Sequence, residues 1–259
     1  MKRLPVSCFI IAKNEADRIE YAIHSVQSWV DEVVVVIDCA STDDTLAVAR
    51  NSGCKVISQP WLGFGGQKRF GEDICRNDWL LNLDADEVVT LALQEEIRRL
   101  FEHKAPARRA YSIPIDLVYP GATAPRFWPR DHRYVRLYDR RVVRYRNSPI
   151  HDSVLTGDFA VGRLKASIHH HSIRSFAHLA TKLDERTWLL VENAKSRTSL
   201  SLALRLPVEF QINFLKYYIF RHHFTGGWTG IKYSAIQSWY RLMKVYRLCI
   251  TPRSRRNPT

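Results

Sequence analysis

Apolar residues fall into two rhythms along the first hundred positions. The runs "VSCFIIA" (Val6–Ala12) and "EVVVVID" (Glu32–Asp38) have the length and β-branching of buried strands. Between them, Ile19, Ala22, Ile23, Val26 and Trp29 recur at helical spacing, which predicts a helix within residues 15–29. "STDDTLAVARNSG" predicts a second helix, capped at Ser41 or Thr42 and stopped by Gly53, and "CKVIS" a third strand. Two successive strand–helix–strand units favour a right-handed, mostly parallel sheet, so the predicted fold class is α/β. "GFGGQKR" (Gly63–Arg69) reads as a glycine-rich loop leading into a helix, and residues 91–103 as a further helix.

The pattern changes further on. Residues 110–154 are rich in Arg, Tyr, Trp and Pro, with strand-like pieces such as "YSIPI" and "RYVRLY". After Pro207, Phe210, Phe214 and Tyr217 or Tyr218 make an apolar stripe that Gly226–Gly227 interrupts. From Trp228 onward, Ile231, Ala235, Trp239, Leu242 and Tyr246 share one helix face, with Arg241, Lys244 and Arg247 opposite and Arg253, Arg255 and Arg256 in the tail. Residues 207–259 therefore read as an amphipathic, basic helical appendage of the kind that lies on an anionic membrane or packs on its own domain.

Composition narrows the classes. In 259 residues, 46% hydrophobic content gives enough apolar material for a sizeable core. The five cysteines are scattered, with no Cys-x-x-Cys pair, which argues against a disulfide framework or zinc site and suits a reducing cytoplasm. The basic start "MKRLPVSCFIIAKNE" has too short an apolar run for a signal peptide, and no stretch approaches the ~18 apolar residues of a spanning helix. A soluble or peripheral protein is expected. The formal charge of +13 points to an anionic partner.

Against that basic background stands "DWLLNLDADEVV", where a strand ends in Asp84, Asp86 and Glu87. In open parallel sheets, ligands bind beyond the carboxyl ends of the strands, so Asp38 and Asp84 should line one crevice. Asp84 and Asp86 can point to one side of an extended segment and offer hard oxygen ligands to Mg²⁺ or Mn²⁺. A solvated turn would use the same residues.

"AKNEADRIE", "VIDCASTDDT", "GFGGQKR" and "LDADE", in that order, resemble the family 2 glycosyltransferases, and most closely the bacterial lipopolysaccharide core branch that includes β-1,4-glucosyltransferases. The resemblance returns at "RLYDRR…NSPIHDS". It implies a GT-A, Rossmann-like nucleotide-sugar-binding domain over residues 1–206, with residues 207–259 as the appendage. It further implies that Asn14 and Glu15 lie in a nucleotide-contacting loop and that Asp38 reads the uracil or ribose. Lys68 would sit near the donor pyrophosphate. Asp84 and Asp86 would form the metal and diphosphate motif, with Asp86 the direct ligand. Ser41, Thr42 and Asp43 suit a helix cap better than a donor site, and Glu87 suits a structural role.

Inverting transfer needs one base on the acceptor side. Asp152 of "SPIHDS" is the candidate, where the resembling branch has His-Glu. His151 would orient it or act itself, and Arg136 belongs to the matching Arg-Leu-aromatic segment. Ala40 stands where the family commonly has glycine. In "SIHHHS", only His169 and His171 share a strand face, which suits a structural or acceptor-side role better than a metal centre. Arg126, Arg130, Arg133 and Arg136 interleave with Phe127, Trp128 and Tyr134, which suits aromatic platforms for sugars and cations for acceptor phosphates.

The resemblance thus implies an inverting, metal-dependent enzyme moving a hexose from a UDP-sugar, UDP-glucose first, to a lipid-linked lipopolysaccharide inner-core acceptor. Its place would be the cytoplasmic face of the inner membrane, without nucleic acid as partner, since no nucleic-acid-binding module is recognisable. The rivals are a nucleotide-sugar-forming nucleotidyltransferase, whose glycine-rich N-terminal loop "CFIIAKNEADR" lacks, and a non-enzymatic basic module for nucleic acid or membrane.

Overall fold

The long apolar runs become neighbouring strands, as their pattern requires. In the computed structural model, which describes residues 2–102, 106–129, 132–148, 153–192, 194 and 199–251, β1 (Leu4–Ala12) lies between β2 (Val30–Asp38) and β4 (Trp79–Asp84). β3 (Lys55–Gln59) forms the outer edge beside β2, and all four strands are parallel. The crossovers are α1 (Ile19–Gln27), α2 (Thr45–Asn51) and α3 (Phe64–Ile74). Beyond β4 the sheet turns antiparallel through β7 (His132–Asp139) and β6 (Ala110–Leu117). It then continues to β11 (Ile168–His170) and β5 (Glu87–Val89), with β10 (Gly162–Arg163) beside β6. β8 (Arg144–Tyr145) and β9 (Val154–Leu155) form a separate ribbon. The α/β class and mostly parallel central sheet are as the sequence predicts.

The chain divides into two compact units, Met1–Asp116 with His132–Ser172, and Leu117–Asp131 with Ile173–Thr259. The first holds the sheet and α1 to α4 (Leu91–Leu100). One core layer gathers Val6, Cys8, Ile10, Ile23, Trp29 and Val35 under α1 and α2, and the opposite layer gathers Phe9, Val34, Val36 and Tyr138. The second unit holds α5 (Phe176–Glu192), α6 (Ser199–Leu215), a π-helical turn (Lys216–Phe220), a 3₁₀ turn (His223–Gly226) and α7 (Gly227–Ile250). The boundary expected at 206/207 falls inside α6, with Pro207 a helix-internal residue.

Two local expectations change. Gly65 and Gly66 of "GFGGQKR" are helical, not loop: only Gly63 (φ 81°) makes the turn, and α3 begins at Phe64. Gly65 is needed for close approach, because a Cβ there would meet the Arg146 carbonyl oxygen at 2.2 Å. α2 starts at Thr45, after the residues expected to cap it, because Ser41 and Thr42 are engaged by the neighbouring loop.

Candidate active site

Register brings the acids to one edge. Ile11 of β1 pairs with Asp84 of β4, and Ala12 pairs with Ile37 of β2. Asp38 and Asp84 therefore emerge at the same carboxyl ends of parallel strands, two strand spacings or about 10 Å apart.

At the β2 end, Asp38 is buried and forms an ion pair with Lys13 Nζ at 2.8 Å. Its Oδ1 accepts the Ala40 amide at 2.9 Å. The Lys13 hydrogen bond and then the Ala40 amide hold the carboxyl below its ordinary range. Ala40 is absent from the residues with positive φ, so the glycine common at this position is not demanded by this turn.

The loops after β1 and β2 are stitched together. Asn14, itself left-handed at φ 56°, donates its amide to Ser41 Oγ at 3.3 Å and accepts the Thr42 amide at 2.8 Å. The Glu15 amide donates to Thr45 Oγ1 at 2.8 Å, and the Ala16 amide to Asp43 Oδ2 at 3.1 Å. Asn14 and Glu15 thus fix the rim beside Asp38, and Glu15 also binds Arg18 through its carboxylate.

The second acid group is a charge network. Asp84 Oδ1 lies 2.9 Å from Lys68 Nζ, and Oδ2 lies 2.7 Å from Arg136 Nη2. Arg136 Nη2 also reaches Glu87 Oε1 at 2.5 Å, while Nη1 donates to Asn82 Oδ1 at 2.6 Å. Glu87 Oε2 accepts the Asp84 amide at 2.9 Å, closing the Asp-Ala-Asp-Glu turn. Lys68, Arg136 and Glu87 are buried, whereas a third of the Asp84 side chain reaches solvent. Burial opposes ionisation of Asp84, but Arg136 and Lys68 outweigh it and hold the carboxyl well below the usual range. Burial dominates at Glu87 and pushes it up to about 7.

Asp86 has different partners, so the two acids of the motif do not bond to the same groups. Its Oδ1 lies 3.4 Å from His170 Nε2 and its Oδ2 3.7 Å from Arg18 Nη1. Burial works against its charge, but the His170 hydrogen bond, the His170 charge and Arg18 together outweigh it and lower the carboxyl. His170 is raised in turn: burial disfavours its cation, but Asp86 overcomes that. Of the three consecutive histidines it is the middle one that reaches the acids, because β11 pairs His170 opposite Glu87 of β5.

Three predicted site features find partners within the protein itself. Lys68, expected near the donor pyrophosphate, is buried against Asp84 and lies over the Tyr145 ring. Arg136, expected on the acceptor side, lies beneath the acids, because β7 runs beside β4 and turns this side chain onto Asn82 and Asp84. Arg133 donates to the Leu164 and Ser112 carbonyls and Arg126 to the Arg221 carbonyl, so these cations serve the protein's own backbone. Arg130, His151 and Asp152 lie outside the described residues. Arg18, Asn82 and His170 carry no local sequence signal, because their partners lie far away in the chain.

Among the described residues no three His, Cys, Asp or Glu side chains gather as a metal cluster. Asp84 and Asp86 are nevertheless ionised, and a carboxylate has about four lone-pair sites, more than the present contacts use. That donor set fits Mg²⁺ or Mn²⁺ bound by one or two carboxylates with phosphate oxygens completing the shell.

Residues 7–170 match the family described as Glycosyl transferase family 2. The chain belongs to that family. An uncharacterized glycosyltransferase of Rickettsia felis is 38% identical over 94% of this chain and 89% of its own. LpsC of Rhizobium meliloti, a lipopolysaccharide core biosynthesis glycosyltransferase, is 31% identical over 64% of this chain and 63% of its own. Among solved structures, glucosyl-3-phosphoglycerate synthase of Mycobacterium tuberculosis with Mn²⁺ and UDP is 25% identical. That match covers 45% of this chain and 44% of that one, with a TM-score of 0.35. The family 2 match makes this chain a glycosyltransferase with a GT-A-type α/β fold, and it removes the nucleotidyltransferase and the non-enzymatic module as readings.

Proposed function

We propose that this glycosyltransferase is an inverting, divalent-metal-dependent hexosyltransferase. It takes a hexose, glucose first, from a UDP-sugar and passes it to a lipid-linked lipopolysaccharide inner-core acceptor at the cytoplasmic face of the inner membrane. One observation carries the donor side: Asp38 and the Asp84–Asp86 turn emerge at the same carboxyl edge of parallel strands. The acceptor class draws support from the kinship with LpsC.

The residues divide the work. Asp38, held ionised by Lys13 and the Ala40 amide, is an acceptor for uracil or ribose donors. The Asn14–Ser41 and Asn14–Thr42 bonds set the rim against which the nucleoside rests. Asp86, with Asp84, would hold Mg²⁺ or Mn²⁺. When bound, the cation supplies the positive charge a departing diphosphate requires. Lys68 and Arg136 keep Asp84 ionised and fix its orientation. Asp152, with His151 beside it, removes the proton of the acceptor hydroxyl. A single base suffices, unlike the paired carboxylates of glycoside hydrolysis.

Thermal unfolding with UDP, GDP or CDP, with and without Mn²⁺, tests the donor side. UDP with metal at 100-fold over its Kd should stabilise by about 2.7 kcal/mol. Equal stabilisation by all three nucleotides, or none that requires metal, would reject the reading.

A further inference from the structure

The second unit is built with its polarity partly reversed. On α6 and the π-helical turn that continues it, Leu204, Val208, Ile212, Leu215 and Ile219 recur at helical spacing, and all five are exposed, Leu204 by 69% and Ile212 by 59%. The other side of α6 buries Glu209, which holds Arg205 at 2.9 Å and accepts Asn213 Nδ2. α7 repeats the arrangement. Gly230, Ser234 and Ser238 are buried, followed by Val245 and Leu248 in the last turns, while Trp228, Trp239, Tyr246 and Ile250 are exposed at one helical phase. In a water-facing helix the apolar stripe turns inward. Small and polar residues over part of the inner face, with large apolar residues outside, suit helices whose outer surface meets lipid.

Charge identifies the occupant. Residues 173–259 contain 15 Lys and Arg against 4 Asp and Glu, a net of +11 out of the whole chain's +13. The sheet-bearing remainder is nearly balanced. No helix among the described residues is long and apolar enough to cross a membrane. An exposed aliphatic stripe, exposed Trp and Tyr rings and a strong local positive charge match an interfacial helix on anionic lipid.

We propose that the outward face of α6, Leu204–Val208–Ile212–Leu215–Ile219, inserts into the headgroup and acyl boundary of an anionic bilayer, with the Trp228–Trp239 face of α7 as a second contact. This deepens the peripheral location given above and rests on it, but its readout needs no sugar transfer.

The test is sedimentation of the full-length protein with vesicles of phosphatidylglycerol and phosphatidylethanolamine, against vesicles of phosphatidylcholine alone. Wild type should pellet with the anionic vesicles and weaken as salt rises, because lipid charge is screened. Ile212→Glu with Leu215→Glu should lower partitioning roughly tenfold or more while leaving the thermal midpoint and UDP binding unchanged. Three outcomes would overturn the proposal: equal binding to neutral vesicles, a double variant that still pellets like wild type, or a wild-type dimer in light scattering that the double variant makes monomeric. The last would assign the stripe to a second copy of the chain. If vesicles bind normally and UDP does not, the donor reading fails alone.

Discussion

The two units handle charge and apolar surface in opposite ways. At the sheet edge of the first, buried charges are neutralised locally: Arg136 serves Asp84 and Glu87, Lys68 serves Asp84, and Lys13 serves Asp38. Its aliphatic residues lie inside, around Phe9, Ile10, Val35 and Leu81. In the second, a small aliphatic core of Val191, Leu202, Val245 and Leu248 shares the helices with a half-buried Arg205–Glu209 pair, and a longer aliphatic stripe stands outside. The contrast teaches that one chain can answer to two solvents. On the proposals made above, the first unit is organised for water and a small charged ligand, the second for a surface that is itself apolar.

The hardest blow to the first half of that contrast falls on its carboxylates. Asp86→Ala should cut transfer by about 10³-fold, and Asp152→Asn by a similar factor given what general bases contribute. Both variants should melt near wild type, and Asp152→Asn should still bind UDP with metal. A steady-state assay on a UDP-hexose measures this. Turnover within a few-fold of wild type would take either residue out of the mechanism. Arg136→Met comes next. It strips the counter-charge from buried Glu87 and from Asp84, so denaturant unfolding should show a loss of about 3–5 kcal/mol. A loss under about 1 kcal/mol would mean that the network is not one coupled unit.

How far the sequence reveals all this depends on range. The strands at Val6–Ala12 and Glu32–Asp38 and the helix over Ile19–Val26 are legible because a local period specifies them. The convergence of Asp38 and Asp84 is legible too, since parallel crossovers put strand ends on one side. The His170–Asp86 contact is not. It depends on a three-residue strand pairing with another some eighty residues earlier, and so short a segment carries no period. The faces of α7 are legible only in part. Periodicity locates the stripe of Ile231, Ala235, Trp239, Leu242 and Tyr246, but the period alone leaves open whether that stripe meets the protein or a membrane. The buried set is instead Gly230, Ser234, Ser238, Val245 and Leu248.

Acid gives a smaller and more graded test of the second unit. His223 is buried against Tyr119, whose hydroxyl is 2.5 Å from Nδ1. Burial first, then Arg126 and Arg221, push its pKa down to about 3. The folded value lies below the unfolded one of about 6.5, so the unfolded state binds the extra proton between them. Stability from this group is complete above pH 6.5 and is lost as pH falls towards 3. Between pH 6.5 and 4.5 the loss should be about 2 kcal/mol. His223→Gln, which still offers Tyr119 a polar partner, should flatten the profile by that amount in urea unfolding at the two pH values. An unchanged slope would show that another group sets the acid sensitivity.

The smallest expected change is the most telling for the reversed helix. If Ile212 faces solvent in the free protein, replacing it by Gln removes little packing, and unfolding free energy should shift by no more than about 0.5 kcal/mol. Leu202, buried with Val191, Val245 and Leu248, supplies the control on the same helix: Leu202→Ala should cost about 2–5 kcal/mol. A conventional amphipathic helix would show a large loss at its aliphatic stripe. Equal losses at 202 and 212 would mean that the outer stripe is covered within the protein, and the two units would then obey one rule of burial.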